Sequence, residues 1–220
     1  MDKILPRFHK IFTDRCDRVP LLDLGEDSVR YDFFIALSDV KKLKPHDIHL
    51  EFAIDKKSYV PRKNQRSYRK EKPQMDLVVD NESLKICAEF GLFRQNSNEK
   101  GTINKTALTV KMLNDMIRLG IDSHHTKRRA FFICVADDKM LRHQLRTKIL
   151  EPFPSNYHIT AGLIHELRKN KTSAFDDRFI KTFKTLNSNI TAKLIYEADI
   201  NAKKTNRATK ILAWEVFLSK

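Results

Sequence analysis

Glycine and proline are scarce, 5 and 7 in 220 residues, which excludes a collagen-like or low-complexity chain. Cysteine is scarcer still. Cys16, Cys87 and Cys134 are odd in number, far apart and without CxxC spacing, so neither a disulfide framework nor a zinc site is expected, and a reducing cytoplasm is the compartment that fits. Long apolar runs are missing: the longest, Ala130 to Ala136, falls far short of the roughly 20 residues that span a bilayer. Met1 to Phe12 has no export-type apolar stretch, so neither a membrane segment nor a signal peptide is expected. GxxxxGK[ST], GxGxxG and GxSxG are all absent, which argues against a nucleotide cofactor and against serine hydrolysis of the common kind. His124-His125 has no third ligand at useful spacing, and His165-Glu166 is followed by Lys169 rather than a second histidine, so both read as surface features.

What is present is a globular composition, 41% hydrophobic, with a net charge of +14. The length suits one large domain. A positive field of that size draws polyanions, and nucleic acid is the commonest. The charge is unevenly placed. Residues 1–60 are neutral, 61–72 carry a net +5, 73–101 a net −2, and the remainder is basic again. An acidic island inside a basic surround is what a protein needs if it must hold a divalent cation against a phosphate.

Ser28 can cap a helix from Val29 to about Leu43, with Phe33, Phe34, Leu37 and Val40 on one face and Pro45 beyond its end. Ile48, Leu50, Phe52 and Ile54 then alternate with His49, Glu51 and Ala53 as on a half-buried strand. Residues 55–74 form a basic loop. Strands over Met75–Asp80 and Leu84–Phe90 make a hairpin, followed by a helix from Thr102 to Leu119 that Gly120 stops, and a buried strand over Arg128–Val135. The fold class is thus α/β, a mixed central sheet flanked by helices in the order helix, strand, strand, strand, helix, strand. Residues 1–150 would form this core. Residues 151–220 would add helices near 160–169 and 174–187 and a hairpin of 192–198 with 210–218, packed on the core; Trp214 is a core residue in this reading.

Opposed residues of an antiparallel pair share a face. If paired numbers sum to 165, Met75, Leu77 and Val79 meet Phe90, Ala88 and Ile86, and the other face brings Asp76 opposite Glu89 with Cβ atoms about 5 Å apart. A register summing to 163 keeps the faces and makes the two acids diagonal neighbours. Either way two carboxylates converge beside the most basic loop, where Mg2+ could take them and grip a phosphate oxygen.

In this element order and in two short motifs the chain resembles the PD-(D/E)XK nucleases. Pro73-Gln-Met-Asp76 stands at the family's Pro-Asp element, with two extra residues between Pro and Asp, and Ala88-Glu89-Phe90-Gly91 stands at its Glu-X-Lys. The resemblance covers roughly residues 28–136. It implies a restriction-endonuclease-like core, Mg2+ held by Asp76 and Glu89, and endonuclease cutting of double-stranded DNA, as in type II restriction systems. A lysine there orients the attacking water and stabilises charge on the phosphorane. Position 91 is glycine instead, so the amine must come from elsewhere: Lys85, on the same strand face as Glu89, or Lys105, near the start of the next helix. Relatives often add a carboxylate from the first helix or nearby, for which Glu26, Asp32 and Glu51 are candidates.

The basic loop supplies Arg62, Lys63, Arg66, Arg69, Lys70 and Lys72, with Tyr59 and Tyr68 interleaved, as phosphate contacts. Lys127-Arg128-Arg129 and Lys203 to Lys210 could extend that track. A homodimer would let one small site per chain cut both strands. A non-catalytic DNA-binding protein on the same fold, its activity lost with the lysine, and an RNA-binding or RNA-processing protein are the alternatives.

Overall fold

The structure, a computed structural model, describes residues 1–61, 72–94, 105–146, 148–169, 175–205 and 207–219. Seven strands, β1 (His49–Ala53), β2 (Gln74–Asp80), β3 (Lys85–Phe93), β4 (Arg129–Asp137), β5 (Tyr157–Ile159), β6 (Asn189–Asp199) and β7 (Thr209–Ser219), form one open sheet in the order β1-β2-β3-β4-β7-β6-β5. β3 and β4 run parallel; every other neighbouring pair is antiparallel. Joining parallel neighbours requires a crossover, and helix α3 (Lys105–Thr126) lies in the connection between them. The fold is therefore mixed α/β.

Helices α1 (Ile4–Cys16) and α2 (Glu26–Lys41) cover one face of the sheet; α3, α4 (Asp138–Leu141), α5 (Ala161–Lys169) and α6 (Asp177–Thr185) cover the other. α1 forms because Ile4, Leu5, Phe8, Phe12 and Cys16 recur at helical spacing, and all are buried. They pack with Val29, Phe33, Ala36 and Leu37 of α2 against Leu77, Val79, Ile86, Ala88 and Phe90. The opposite layer places Val110, Leu113 and Ile117 of α3 with Val78, Cys87, Phe132 and Cys134. All three cysteines are free and buried. Among the described residues no helix is long and apolar enough to cross a membrane.

Several expected boundaries shift for identifiable reasons. α2 starts at Glu26 rather than after Ser28, because Gly25 takes the extended backbone of an N-cap and Ser28 N–H already donates to the Gly25 carbonyl at 3.0 Å. It ends where Lys42 turns left-handed, φ 56°. α3 does not stop at Gly120 but runs on to Thr126. A Cβ on Gly120 would sit 3.1 Å from Cγ1 of Ile190, so the glycine admits close approach of the helix to β6. β1 is exposed along its length rather than half-buried: it is an edge strand, and Glu51 interrupts its extended backbone with φ 51°. Residues 151–220 do not sit apart, since β7 pairs with β4 over eight residue pairs and completes the middle of the sheet. Trp214 is fully buried there and donates from Nε1 to the Ser155 carbonyl at 2.7 Å.

Candidate functional site

The β2–β3 register is the one in which paired numbers sum to 165: Leu77 faces Ala88 and Val79 faces Ile86. One step beyond Leu77 and Ala88, the same register sets Asp76 beside Glu89, close enough for the two charges to act on each other. Phe90 N–H also donates to Asp76 Oδ2 at 3.0 Å, which fixes the aspartate. On the other flank Leu50 faces Leu77 and Phe52 faces Met75, so Glu51 stands abreast of Asp76. Glu51, Asp76 and Glu89 therefore form a row across three adjacent strands.

Three arginine and lysine side chains from the helices answer these acids. Arg30 of α2 reaches Glu51 Oε1 at 3.4 Å and Asp76 Oδ1 at 3.9 Å with a single nitrogen, Nη1, while its Nη2 holds Asp27 at 2.6 Å. Arg118 of α3 contacts Glu89 at 3.0 Å and Asp115 at 2.6 Å, again through one nitrogen, Nη2. Lys111, two helical turns earlier, holds both oxygens of Glu26 at 3.0 and 2.7 Å. Six carboxylates thus face three basic side chains. Carboxyl groups outnumber basic side chains here, in a chain whose net charge is +14.

The protonation behaviour follows from burial. The Glu89 side chain is 3% exposed, and burial, with Asp115 and Asp76 close by, drives its carboxyl well above the ordinary range against the opposing pull of Arg118. Burial likewise pushes Asp115 up to about 6, with Arg118 and Lys111 opposing. For Lys111, burial disfavours the charge, but the Glu26 partner outweighs it and the ammonium is held more firmly than usual. Glu89 Oε1 is buried and receives no hydrogen bond from any described residue. A buried carboxylate oxygen without a donor is costly, and a proton or a metal ion removes the cost.

The position of the motif lysine is closed. A Cβ on Gly91 would lie 2.9 Å from Cζ of Phe93 and 3.3 Å from Cζ of Phe132, so two rings fill the space. Neither expected substitute comes to the acids. Lys85 opens β3 opposite Asp80, about 13 Å along the strand from Glu89. Lys105 opens α3, about 9 Å of helical rise before Lys111. Lys111 is the amine that α3 brings to the cluster, and its charge interacts with both Asp115 and Asp76. Of the added carboxylates expected, Glu51 and Glu26 belong to the cluster. Asp32 does not: it is fully buried in the α1–α2 layer against Arg15, with contacts of 2.7 and 2.6 Å.

The basic loop is tied at both ends. Ile54 N–H donates to the Pro73 carbonyl at 2.9 Å, and Val60 N–H to the Arg178 carbonyl at 3.1 Å. Tyr59 is buried against Phe179, ring centroids 6.0 Å apart, and so is a packing residue rather than a phosphate contact. Lys72 is exposed four residues before Asp76; Arg62, Lys63, Arg66, Tyr68, Arg69 and Lys70 lie outside the described residues. The suggested extensions of the track are partly engaged, Arg128 with Asp80, Arg129 with Glu215 and Lys210 with Glu197.

Among the described residues no three His, Cys, Asp or Glu side chains are already gathered as a metal cluster. Asp76 and Glu89 are a pair, and Arg30 bridges Glu51 to them. Sequence reasoning missed Arg30, Asp115, Arg118 and Lys111. The signal was there: 111, 115 and 118 follow the i, i+4, i+7 spacing of one helix face, beside a buried apolar face of Val110, Leu113, Ile117 and Ile121. No family model, no curated protein and no solved structure matches the chain.

Proposed function

We propose that the chain is a Mg2+-dependent endonuclease of the PD-(D/E)XK kind, acting on double-stranded DNA as a homodimer. The observation that carries this reading is the neighbouring placement of Asp76 and Glu89 on adjacent strands, with the buried Glu89 Oε1 left without a donor among the described residues. Such a pair fits a hard divalent cation, which takes one or two carboxylates and keeps several waters. Glu51, one strand further out, is within the same row and could add a third oxygen donor. Mg2+ in this place would polarise a phosphoryl oxygen and acidify a bound water.

The rest of the reading concerns the chain's own groups. Lys111 keeps its proton because Glu26 faces it, so it can donate to a developing negative charge on phosphate or to the leaving oxygen. The order α2, β1, β2, β3, α3, β4, with β3 and β4 parallel, agrees with a restriction-endonuclease-like core. The net charge of +14 and the basic loop that re-enters the sheet just before Asp76 supply the phosphate-binding surround.

A second reading, a nucleic-acid-binding protein without chemistry, is favoured by Gly91 and by the arginine on each acid. Nicking of supercoiled plasmid with Mg2+, beside Asp76→Ala and Glu89→Ala, separates the two. Metal-dependent cutting that both variants lose supports the enzyme. Salt-sensitive binding with no cutting at any divalent-cation concentration selects the binding protein and sinks the endonuclease.

A further inference from the structure

Arg118 makes an unusual buried ion pair. The guanidinium offers five donors in a planar fork that suits a carboxylate bidentately. Here the fork is not used: one nitrogen, Nη2, serves Glu89 at 3.0 Å and Asp115 at 2.6 Å, and Nη1 reaches the Gln74 carbonyl at 3.4 Å. Arg118 Nε is buried and makes no hydrogen bond to any described residue, and the same is true of Glu89 Oε1 across the pair. Arg30 repeats the pattern, with Nη1 shared between Glu51 and Asp76 and a buried, unpaired Nε. By contrast Arg15 meets Asp32 with two parallel bonds of 2.7 and 2.6 Å and leaves neither carboxylate oxygen orphaned.

A pair that leaves a donor and an acceptor unsatisfied on facing groups supplies charge without supplying fit. From this we infer that Arg118 is a resident counter-ion for Glu89 and Asp115, holding the place of a divalent cation and competing with it. The inference rests on the proposed metal site and names what regulates its affinity. Two features support it beyond the distances. The Glu89 side chain is 3% exposed, so once ionised it needs a positive partner on hand at all times. The Arg118 side chain is 23% exposed, against 3% for Glu89, so it is the partner of the two that has room to move when a stronger cation arrives. A metal ion would take over the Glu89 oxygens, and Arg118 would keep Asp115 as its partner, so that no charge is stranded. Arg118 thus acts as a positioning residue that sets the cation concentration at which the site fills.

Calorimetric titration of the full chain with MgCl2 tests this, comparing wild type with Arg118→Gln and with Glu89→Gln. The expected result is that Arg118→Gln binds Mg2+ about tenfold more tightly than wild type, while Glu89→Gln loses binding. Equal or weaker binding by a folded Arg118→Gln overturns the counter-ion role and leaves the metal site standing. No binding by wild type or by Arg118→Gln overturns the metal site itself. A measurement on wild type needs no variant to fold: the arginine Nε–Hε magnetic resonance signals are followed through the same titration. The Arg118 signal should move and saturate with the calorimetric Kd while that of Arg15 stays fixed; a static Arg118 signal at saturating Mg2+ contradicts the inference.

Discussion

Two of the arginine–carboxylate pairs with a buried acid, Arg15–Asp32 and Arg118–Glu89, are built differently. Arg15–Asp32 ties α1 to α2: the aspartate side chain is fully buried, and both its oxygens are taken by a fork of two bonds. Arg118–Glu89 ties α3 to β3: the glutamate is almost as buried, yet one of its oxygens has no donor and the arginine divides one nitrogen between two acids. Removing one partner of a buried pair costs much more than the pair itself contributes, because a charge is left unmatched. The first pair therefore reads as architecture. The second carries the signature of a site whose proper occupant is something other than arginine.

Taking one partner out of each pair should part the two in sign. Arg15→Ala, which strands Asp32, is expected to cost about 3 kcal/mol in urea unfolding and to leave Mg2+ binding untouched. Glu89→Gln should be neutral or stabilising by about 1 kcal/mol, since it removes a buried charge and Asp115 still matches Arg118, while abolishing cutting. Equal destabilisation by Asp32→Asn and Glu89→Gln would erase the distinction.

A smaller effect comes from pH. Burial raises Asp115 to about 6 and drives Glu89 well above the ordinary carboxyl range, so the native state binds these protons more tightly than the unfolded chain does. Stability from these groups is thus full below pH 4 and is lost as pH rises through about 6 and beyond. For Asp115 the loss is on the order of 2–3 kcal/mol. Asp115→Asn should flatten the stability profile between pH 4 and 7 in thermal melts; an unchanged slope would place the titrating group elsewhere. Mg2+ binding should strengthen as pH rises, because the cation and the proton on Glu89 compete for the same oxygens.

The amine can be tested separately. Lys111→Met should lower cutting about 100-fold or more while changing stability by no more than about 0.5 kcal/mol, since the Lys111–Glu26 pair is half exposed. Gly91→Lys, which writes the motif lysine back, should not raise activity and should cost about 1–3 kcal/mol, because its Cβ would press on Phe93 and Phe132. Rescue of cutting by Gly91→Lys in a Lys111→Met background would reverse the assignment.

The hairpin was legible because the alternation of Leu77 and Val79 with Asp76 and Val78 keeps one face apolar in either short-loop register, and both registers put Asp76 and Glu89 on the other face; the structure adopts the one in which paired numbers sum to 165. Other parts were hidden for physical reasons. Which turn of α3 lies over Glu89 depends on where the helix docks across the sheet, and residues 105–126 do not encode that docking locally. So Lys111 could not be preferred to Lys105 from spacing alone. The left-handed backbone at Glu51 is announced by nothing in His49-Leu-Glu-Phe-Ala53. α1 is legible in the helical spacing of Ile4, Phe8, Phe12 and Cys16, a stripe too sparse to resemble the continuous apolar stretch of an export signal. Gly120 misled because a glycine near a helix end is most often a stop, whereas here it makes room for Ile190.

The central claim is that Asp76 and Glu89 share a divalent cation now matched by arginine. Crystals soaked in MnCl2 and measured at the manganese edge put it to the most direct test. An anomalous peak about 2.0–2.6 Å from oxygens of both Asp76 and Glu89, with Arg118 drawn off Glu89, is the expected result. A map with no peak there, or with the arginine contacts intact and manganese bound elsewhere, would contradict the account.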